Sequence, residues 1–159
     1  MLWVDERAHS QECARFDRFV VSGPAAADCA IWVGAVGKDG YGRFFIYRDG
    51  RGLCVRPNRY ALARASEEPL GGDVYALHEC DTPLCVKVRH EAPWHVVPGT
   101  QSDNMRRMAR MRRGAPTLGG DGLAGRHAKS LALRAALRHK GWDAAAVEAA
   151  RLGTDWTLW

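Results

Sequence analysis

Long apolar runs are missing from the sequence. No segment approaches the roughly 20 consecutive apolar residues that a helix needs to cross a bilayer, which argues against a membrane-spanning helix. The N-terminal segment MLWVDERAHSQECARF also lacks the basic region and the apolar core of a secretion signal, because acidic residues directly follow a three-residue apolar patch. We therefore expect a cytoplasmic protein with no membrane partner.

The sequence also lacks an even number of cysteines, which a fully disulfide-paired protein would have. The chain has five, at Cys13, Cys29, Cys54, Cys80 and Cys85. Disulfides do not persist in a reducing compartment, so metal ligation is the better first explanation for cysteines that cluster. Cys13 and Cys54 have no partner at motif spacing. We predict that both are buried thiols, with Cys54 as a reserve metal ligand should Cys29 not serve.

The composition that is present fits one folded domain with appendages. The chain has 159 residues, of which 47% are hydrophobic, and its six tryptophans predict a packed core. The net charge is +5, and arginines crowd the segments 43–59 and 106–113. A basic segment is compatible with a polyanionic partner, and a solvated surface explains it equally well.

Alternating arginine and aromatic residues predict an antiparallel β-ribbon. We expect strands over 30–33, 41–47 and 52–56, with a turn at Asp49-Gly50. Period-two alternation then divides the middle strand into two faces. One face carries Arg43, Phe45 and Tyr47, and the other carries Phe44, Ile46 and Arg48.

The segments that follow predict helices and a second pair of strands. Asn58 is a candidate N-cap for a helix near 59–65, and extended runs over 74–78 and 95–97 enclose a cysteine pair. Thr100 and Asp103 have the spacing of a capping box, which predicts a helix reaching about residue 113.

Four segments describe the predicted domain organisation. A cover segment, 1–28, precedes a central domain over 29–113, and a glycine-rich linker occupies 114–126. The remaining segment, 127–159, predicts two helices joined at Gly141-Trp142. We interpret them as a helical hairpin with its own small core, and a helix-turn-helix DNA reader is the alternative.

The chemistry-bearing residues concentrate in one short unit. It contains His78, Cys80, Cys85, His90, His95 and Asn104. A soft metal site needs four nitrogen or sulfur ligands, and two cysteines on either side of a tight turn supply two of them. An upstream cysteine and a downstream histidine can complete the set.

This unit resembles a known family. HECDTPLCVKVRHEAPWHVVPGTQSDNMRRM is similar to the HNH endonucleases of phages and mobile elements, which have H-x-C-D-x-P-x-C, a later His and G-T-x-x-D-N. The upstream CAIWVG and GYGR match the opening of the same family, which is related to the His-Cys box homing endonucleases. The resemblance covers about 29–113. It implies an α+β fold with a ββα-metal, or His-Me finger, core, to which we add the antiparallel ribbon and the C-terminal helical hairpin.

The resemblance also implies a function. It predicts a Mg²⁺-dependent or Mn²⁺-dependent endonuclease that hydrolyses phosphodiester bonds of double-stranded DNA, in a bacterium or a phage. His78 would be the general base, and Asn104 would be the protein ligand of the catalytic ion. A neutral imidazole suits proton abstraction near pH 7, and magnesium prefers oxygen ligands.

A structural zinc is implied as well. Its ligands would be Cys29, Cys80, Cys85 and one later histidine. The chain between Cys85 and the Gly-Thr element is longer than in the family, so two histidines qualify. His90 keeps the usual distance from Cys85, and His95 keeps the usual distance to Asn104. We favour His95, because an insertion can loop out before it without disturbing the catalytic helix.

Seven arginines are predicted to contact DNA: Arg43, Arg48, Arg51, Arg59, Arg106, Arg110 and Arg113. Cutting of both strands by an enzyme with one active site usually involves two subunits, so a homodimer is a further expectation. The alternative function is a non-catalytic, zinc-stapled DNA-binding module. A small structural or virion-assembly partner is a third interpretation, which explains the cysteines but not the arginines.

Overall fold

The computed structural model describes residues 1–110 and 123–152. These residues form a mixed α+β structure with small antiparallel sheets, as the sequence predicts at the level of fold class. In chain order the elements are α1 (Ser10–Asp17), β1 (Val20–Ser22), β2 (Ala30–Trp32), β3 (Ala35–Val36), β4 (Gly42–Arg48), β5 (Arg51–Val55), α2 (Pro57–Arg64), β6 (Tyr75–His78), β7 (Val96–Gly99), α3 (Gln101–Arg110), α4 (Leu123–Lys140) and α5 (Ala144–Leu152).

The β4–β5 hairpin is the predicted ribbon. Its turn is made by Asp49 and Gly50, with φ angles of 51° and 74°, the left-handed conformation that a tight two-residue hairpin requires. Along β4, burial alternates as predicted: Phe44 and Ile46 are buried, whereas Phe45 and Tyr47 are exposed. The ribbon therefore gives one face to the core and an aromatic face to solvent.

The segment 84–88 connects two of the small sheets. Strand β1 pairs with β2, and β6 pairs with β7, in both cases antiparallel. Between them, the Trp32 amide donates to the Leu84 carbonyl at 2.8 Å, and the Val86 amide donates to the Ala30 carbonyl at 2.7 Å. The Val96 amide then donates to the Lys87 carbonyl at 2.9 Å. These bonds bring Cys29, the residue before β2, close to His95, the residue before β7.

An aromatic cluster forms the centre of the core. Phe16 of α1 stacks on Tyr60 of α2 with ring centroids 4.7 Å apart, and it also contacts Trp32 and Phe44. The N-terminal segment therefore supplies part of the core rather than only covering it. The predicted boundary at residue 28 lies in the loop between the paired strands β1 and β2.

Two local predictions are wrong. Helix α2 begins at Pro57 with Arg56 at its N-cap, because proline suits the first helical position; Asn58 lies inside the helix and is buried. The Asn58 amide instead donates to the carbonyl of Ala76 at 2.9 Å. Cys54 is exposed on β5 opposite Phe45, whereas Cys13 is buried as predicted.

The C-terminal helices belong to the main core. Leu133 and Leu137 of α4 and Val147 of α5 are buried within the same cluster as the aromatic residues, so the predicted separate core is wrong. Helix α4 begins at Leu123 rather than at residue 127. The rest of the predicted linker, 114–122, lies outside the described residues. In the described ranges, no helix combines the length and the apolar character needed to span a membrane.

A candidate metal centre beside a buried histidine

Three cysteines and one histidine converge from distant parts of the chain. Cys29 directly precedes β2, Cys80 and Cys85 lie in the loop after β6, and His95 directly precedes β7. One ligand atom from each of the four lies within 4.8 Å of the others. The predicted ligand set is thus assembled by the fold, with His95 in the fourth position, while His90 is exposed and outside the group.

The spacing of these atoms fits a tetrahedral metal site. Nδ1 of His95 lies 3.5 Å from Sγ of Cys29 and 3.7 Å from Sγ of Cys85. Zinc bonds of about 2.3 Å to sulfur and about 2.0 Å to nitrogen imply ligand separations of roughly 3.5 to 3.8 Å. Because four protein ligands leave no position for water, an ion held here would have a structural role.

The loop between the two cysteines is shaped by local hydrogen bonds. Asp81 has a φ of 60°, and the Thr82 hydroxyl donates to the Cys80 carbonyl at 3.2 Å. The Cys85 amide in turn donates to the Thr82 carbonyl at 2.9 Å. The hydrogen bond with Cys29 raises the pKa of the Cys80 thiol to about 11, and burial raises the pKa of Cys85. Since metals bind thiolates, loading the site releases protons.

His78 lies immediately beside this cluster. It ends β6, pairs with Val96 of β7 and has only 8% of its surface exposed. Within the described part of the chain, neither of its ring nitrogens has a hydrogen-bond partner. Burial lowers the pKa of His78 to about 4, and the positive charges of Arg107 and Arg56 act in the same direction against an opposing effect of Cys29. His78 is therefore a neutral, unpartnered imidazole at pH 7.

An aromatic and cationic group flanks His78. The ring of Tyr41 lies 6.0 Å from the imidazole, centroid to centroid. The guanidinium carbon of Arg56 lies 4.4 Å from the Tyr41 ring centroid, and that of Arg126 lies 5.9 Å from it. Neither arginine is among the residues predicted from the sequence to contact DNA. Arg56 falls in a basic segment that offered a signal, whereas nothing in the local sequence pointed to Arg126.

Helix α3 carries Asn104 and packs beside β6. Its start is the predicted capping box: the Thr100 amide donates to Asp103 at 2.8 Å, and the Asp103 amide donates to the Thr100 hydroxyl at 3.2 Å. Asn104 is half-buried. An ion pair of 2.5 Å joins Arg107 of this helix to Glu79, the residue after His78. The β6–β7–α3 unit thus places the predicted general base and the predicted metal ligand on adjoining elements.

Most of the arginines predicted to contact DNA have partners within the fold. Arg48 pairs with Glu12 at 2.5 Å and donates to the Trp3 carbonyl, and Arg59 donates to the carbonyls of Val74 and Gly71. These contacts stabilise the fold, and the contact of these two arginines with DNA stays a prediction.

The other predicted arginines differ in their exposure. Arg43 pairs with Asp39 at 2.9 Å, and Arg106 pairs with Asp103 at 2.7 Å while remaining largely exposed. Arg51 is exposed in the ribbon. Arg110 ends α3, and Arg113 lies outside the described residues.

Comparison with known proteins finds one similarity to a phage protein. The chain is 31% identical over 77 residues to Protein 7.7 of Escherichia phage T7, a stretch that is 48% of this chain and 52% of that protein. The chain therefore spans about half the length of the curated relative it matches. No protein-family model matches the chain, and no solved structure matches it.

Proposed function

We propose that this protein is a Mg²⁺-dependent DNA endonuclease of the HNH type. One observation carries the proposal: His78 is nine-tenths buried beside a cluster of metal-ligating side chains, and its two ring nitrogens have no hydrogen-bond partner among the described residues. Leaving buried polar atoms without partners costs free energy, and proteins retain such groups where a ligand or a reaction uses them. The motif residues around His78, including Asn104, agree with this chemistry.

His78 would act as the general base. Its low pKa keeps the ring unprotonated at pH 7, so one nitrogen can accept a proton from an attacking water. The negative charge of a bound phosphodiester would raise that pKa and make the imidazole a better proton acceptor. The water oxygen then bonds to phosphorus, while the bond to the leaving nucleotide oxygen breaks.

Asn104 would bind the catalytic ion through its side-chain oxygen. A single amide oxygen is an incomplete set of ligands, which suits Mg²⁺, because this ion retains water and takes further oxygens from phosphate. The bound ion would supply positive charge against the phosphate and the leaving oxygen. The ion pair between Glu79 and Arg107 would hold Asn104 in place relative to His78.

The cysteine and histidine cluster would hold a structural zinc. Cys80 lies two residues after His78, so the ion would anchor the end of the strand that carries the base. In this division of roles, one metal stabilises the fold and the other supports hydrolysis. EDTA should abolish cleavage in a sample that retains zinc, and added Mg²⁺ or Mn²⁺ should restore it, whereas added Zn²⁺ should not.

The decisive test compares His78→Ala with His90→Ala on supercoiled plasmid DNA in Mg²⁺. His90 is the matched control, because it is an exposed histidine outside the cluster. We expect His90→Ala to nick like the wild type, and His78→Ala to lose roughly 100-fold or more of the rate while keeping its zinc. Equal nicking by the two variants would overturn the mechanism. DNA binding without cleavage in the wild type would favour the non-catalytic binding module.

A further inference from the structure

We propose that helix α4 supplies Arg126 to a phosphate-binding site, shared with Arg56 and Tyr41, beside His78. The inference deepens the proposed function and rests on it for the identity of the ligand, the phosphodiester backbone of DNA. It gives helix α4, in the C-terminal extension, a role in substrate binding.

The position of Arg126 is set by tight packing. A side chain on Gly40 would lie 2.8 Å from Cγ of Arg126 and 3.0 Å from its carbonyl oxygen, so only a glycine admits helix α4 at this distance. Gly40 also has a φ of 80°, which favours glycine independently. This contact brings a residue of the C-terminal extension beside the Tyr41 ring, 5.9 Å from its centroid.

Arg56 reaches the same ring from the end of the ribbon. Its guanidinium lies 4.4 Å from the Tyr41 centroid and pairs with Asp39 at 3.0 Å, and its side chain is half exposed. Asp39 also pairs with Arg43, so one carboxylate is shared between two guanidinium groups. Arg126, near the same Tyr41 ring, adds a third positive charge to this group.

The arrangement suits a phosphate better than a neutral ligand. Guanidinium groups bind phosphate oxygens through paired N–H donors, and a neighbouring aromatic ring orders them without competing for those donors. The Tyr41 ring lies 6.0 Å from His78, whose ring nitrogens have no partner among the described residues. A phosphate held by Arg56 and Arg126 would therefore lie next to the proposed general base.

The test measures DNA binding by Arg126→Gln, with Arg138→Gln as the matched control. Glutamine keeps methylene groups against Gly40 and removes the charge. Arg138 is exposed in the last turn of the same helix and loses the same charge. Binding of a fluorescent duplex is followed by anisotropy with Ca²⁺ in place of Mg²⁺, across a range of salt concentrations.

We expect Arg126→Gln to bind DNA about fivefold more weakly at low salt and to reduce the slope of log K against log salt by about 0.9, the value of one phosphate contact. Arg138→Gln should match the wild type, and Arg126→Lys should recover part of the affinity. Equal affinities for Arg126→Gln and Arg138→Gln, with the wild type binding DNA, would overturn this inference and leave the nuclease proposal standing. A wild type that binds no DNA would overturn both.

Discussion

The three histidines at positions 78, 90 and 95 differ in their burial and in their hydrogen-bond partners. His90 and His95 are both candidates by spacing, yet His90 is exposed and His95 is 2% exposed with its Nδ1 facing two cysteine sulfurs. His78 is also buried, but its ring nitrogens have no hydrogen-bond partner within the described residues. An exposed, a clustered and an unpartnered imidazole have different chemistry, which follows from their surroundings rather than from their distance along the chain.

Removing His95 should remove the metal. In His95→Ala we expect bound zinc to fall well below the wild-type content and Tm to drop by roughly 10 °C, because a structural metal stabilises only the folded chain. His90→Ala should keep both values. Zinc content is measured by atomic absorption and Tm by circular dichroism. A zinc-free wild type, or a His95→Ala variant with full zinc, would contradict the assignment of the cluster.

At the level of elements, strand β6 and helix α3 are joined by one partly buried ion pair. Arg107 has a side chain that is 13% exposed, and its Nη1 lies 2.5 Å from Oε2 of Glu79. Glu79 follows His78, and Arg107 lies one helical turn after Asn104, on the same side of α3. The pair therefore connects the residue next to the proposed base with the turn that carries the proposed metal ligand.

Breaking this pair should affect catalysis more than DNA affinity. We expect Arg107→Leu to lower kcat by roughly 10-fold to 100-fold and to raise the Mg²⁺ concentration needed, because small misplacements of reacting groups cost rate. The exposed Arg106→Leu is the control and should raise KM for DNA instead. A charge swap, Glu79→Arg with Arg107→Glu, should restore part of kcat. A drop in stability with unchanged Mg²⁺ dependence would show that the pair has a structural role alone.

For the whole molecule, the N-terminal segment is part of the single core. Glu12 of α1 pairs with Arg48 of β4 at 2.5 Å, and Cys13 contacts the hydroxyl of the fully buried Tyr60 at 3.4 Å. Burial by itself would raise the pKa of Glu12, but the hydrogen bonds from Arg48 and Tyr60 outweigh it and hold that pKa below 4.5. The ionised Glu12 thus stabilises the contact between the segment and the ribbon.

This pKa shift predicts a pH-dependent stability. Because the folded-state pKa of Glu12 is depressed, its contribution is present above 4.5 and is lost as pH falls through the folded value. In urea unfolding, Glu12→Gln should cost about 1–3 kcal/mol near neutral pH. The difference from wild type should shrink in acid. Glu67→Gln, at an exposed site, is the control. A Glu12→Gln deficit that stays constant with pH would contradict the ionic role.

The sequence by itself determined the features that depend on neighbouring residues. The capping box at Thr100 and Asp103, the turn at Asp49-Gly50 and the alternation along β4 are set by backbone sterics and by hydrogen bonds over a few positions. Cys29 and His95 were assigned as metal ligands through the family resemblance, whereas the spacing of Cys80 and Cys85 around a tight turn by itself indicated a pair that can bind a metal. Such features need no knowledge of the rest of the fold.

Only the tertiary structure decided which arginines remain available and what the C-terminal helices do. A long arginine side chain pairs with whichever carboxylate or carbonyl the packing brings near it. Arg48 and Arg59 therefore bond with groups of the fold, whereas Arg126 lies beside Tyr41. The burial of the His78 ring nitrogens, which have no hydrogen-bond partner among the described residues, was also decided by the tertiary structure, because desolvation depends on every element packed around the ring. Contacts between residues far apart in the chain leave no local pattern from which to predict them.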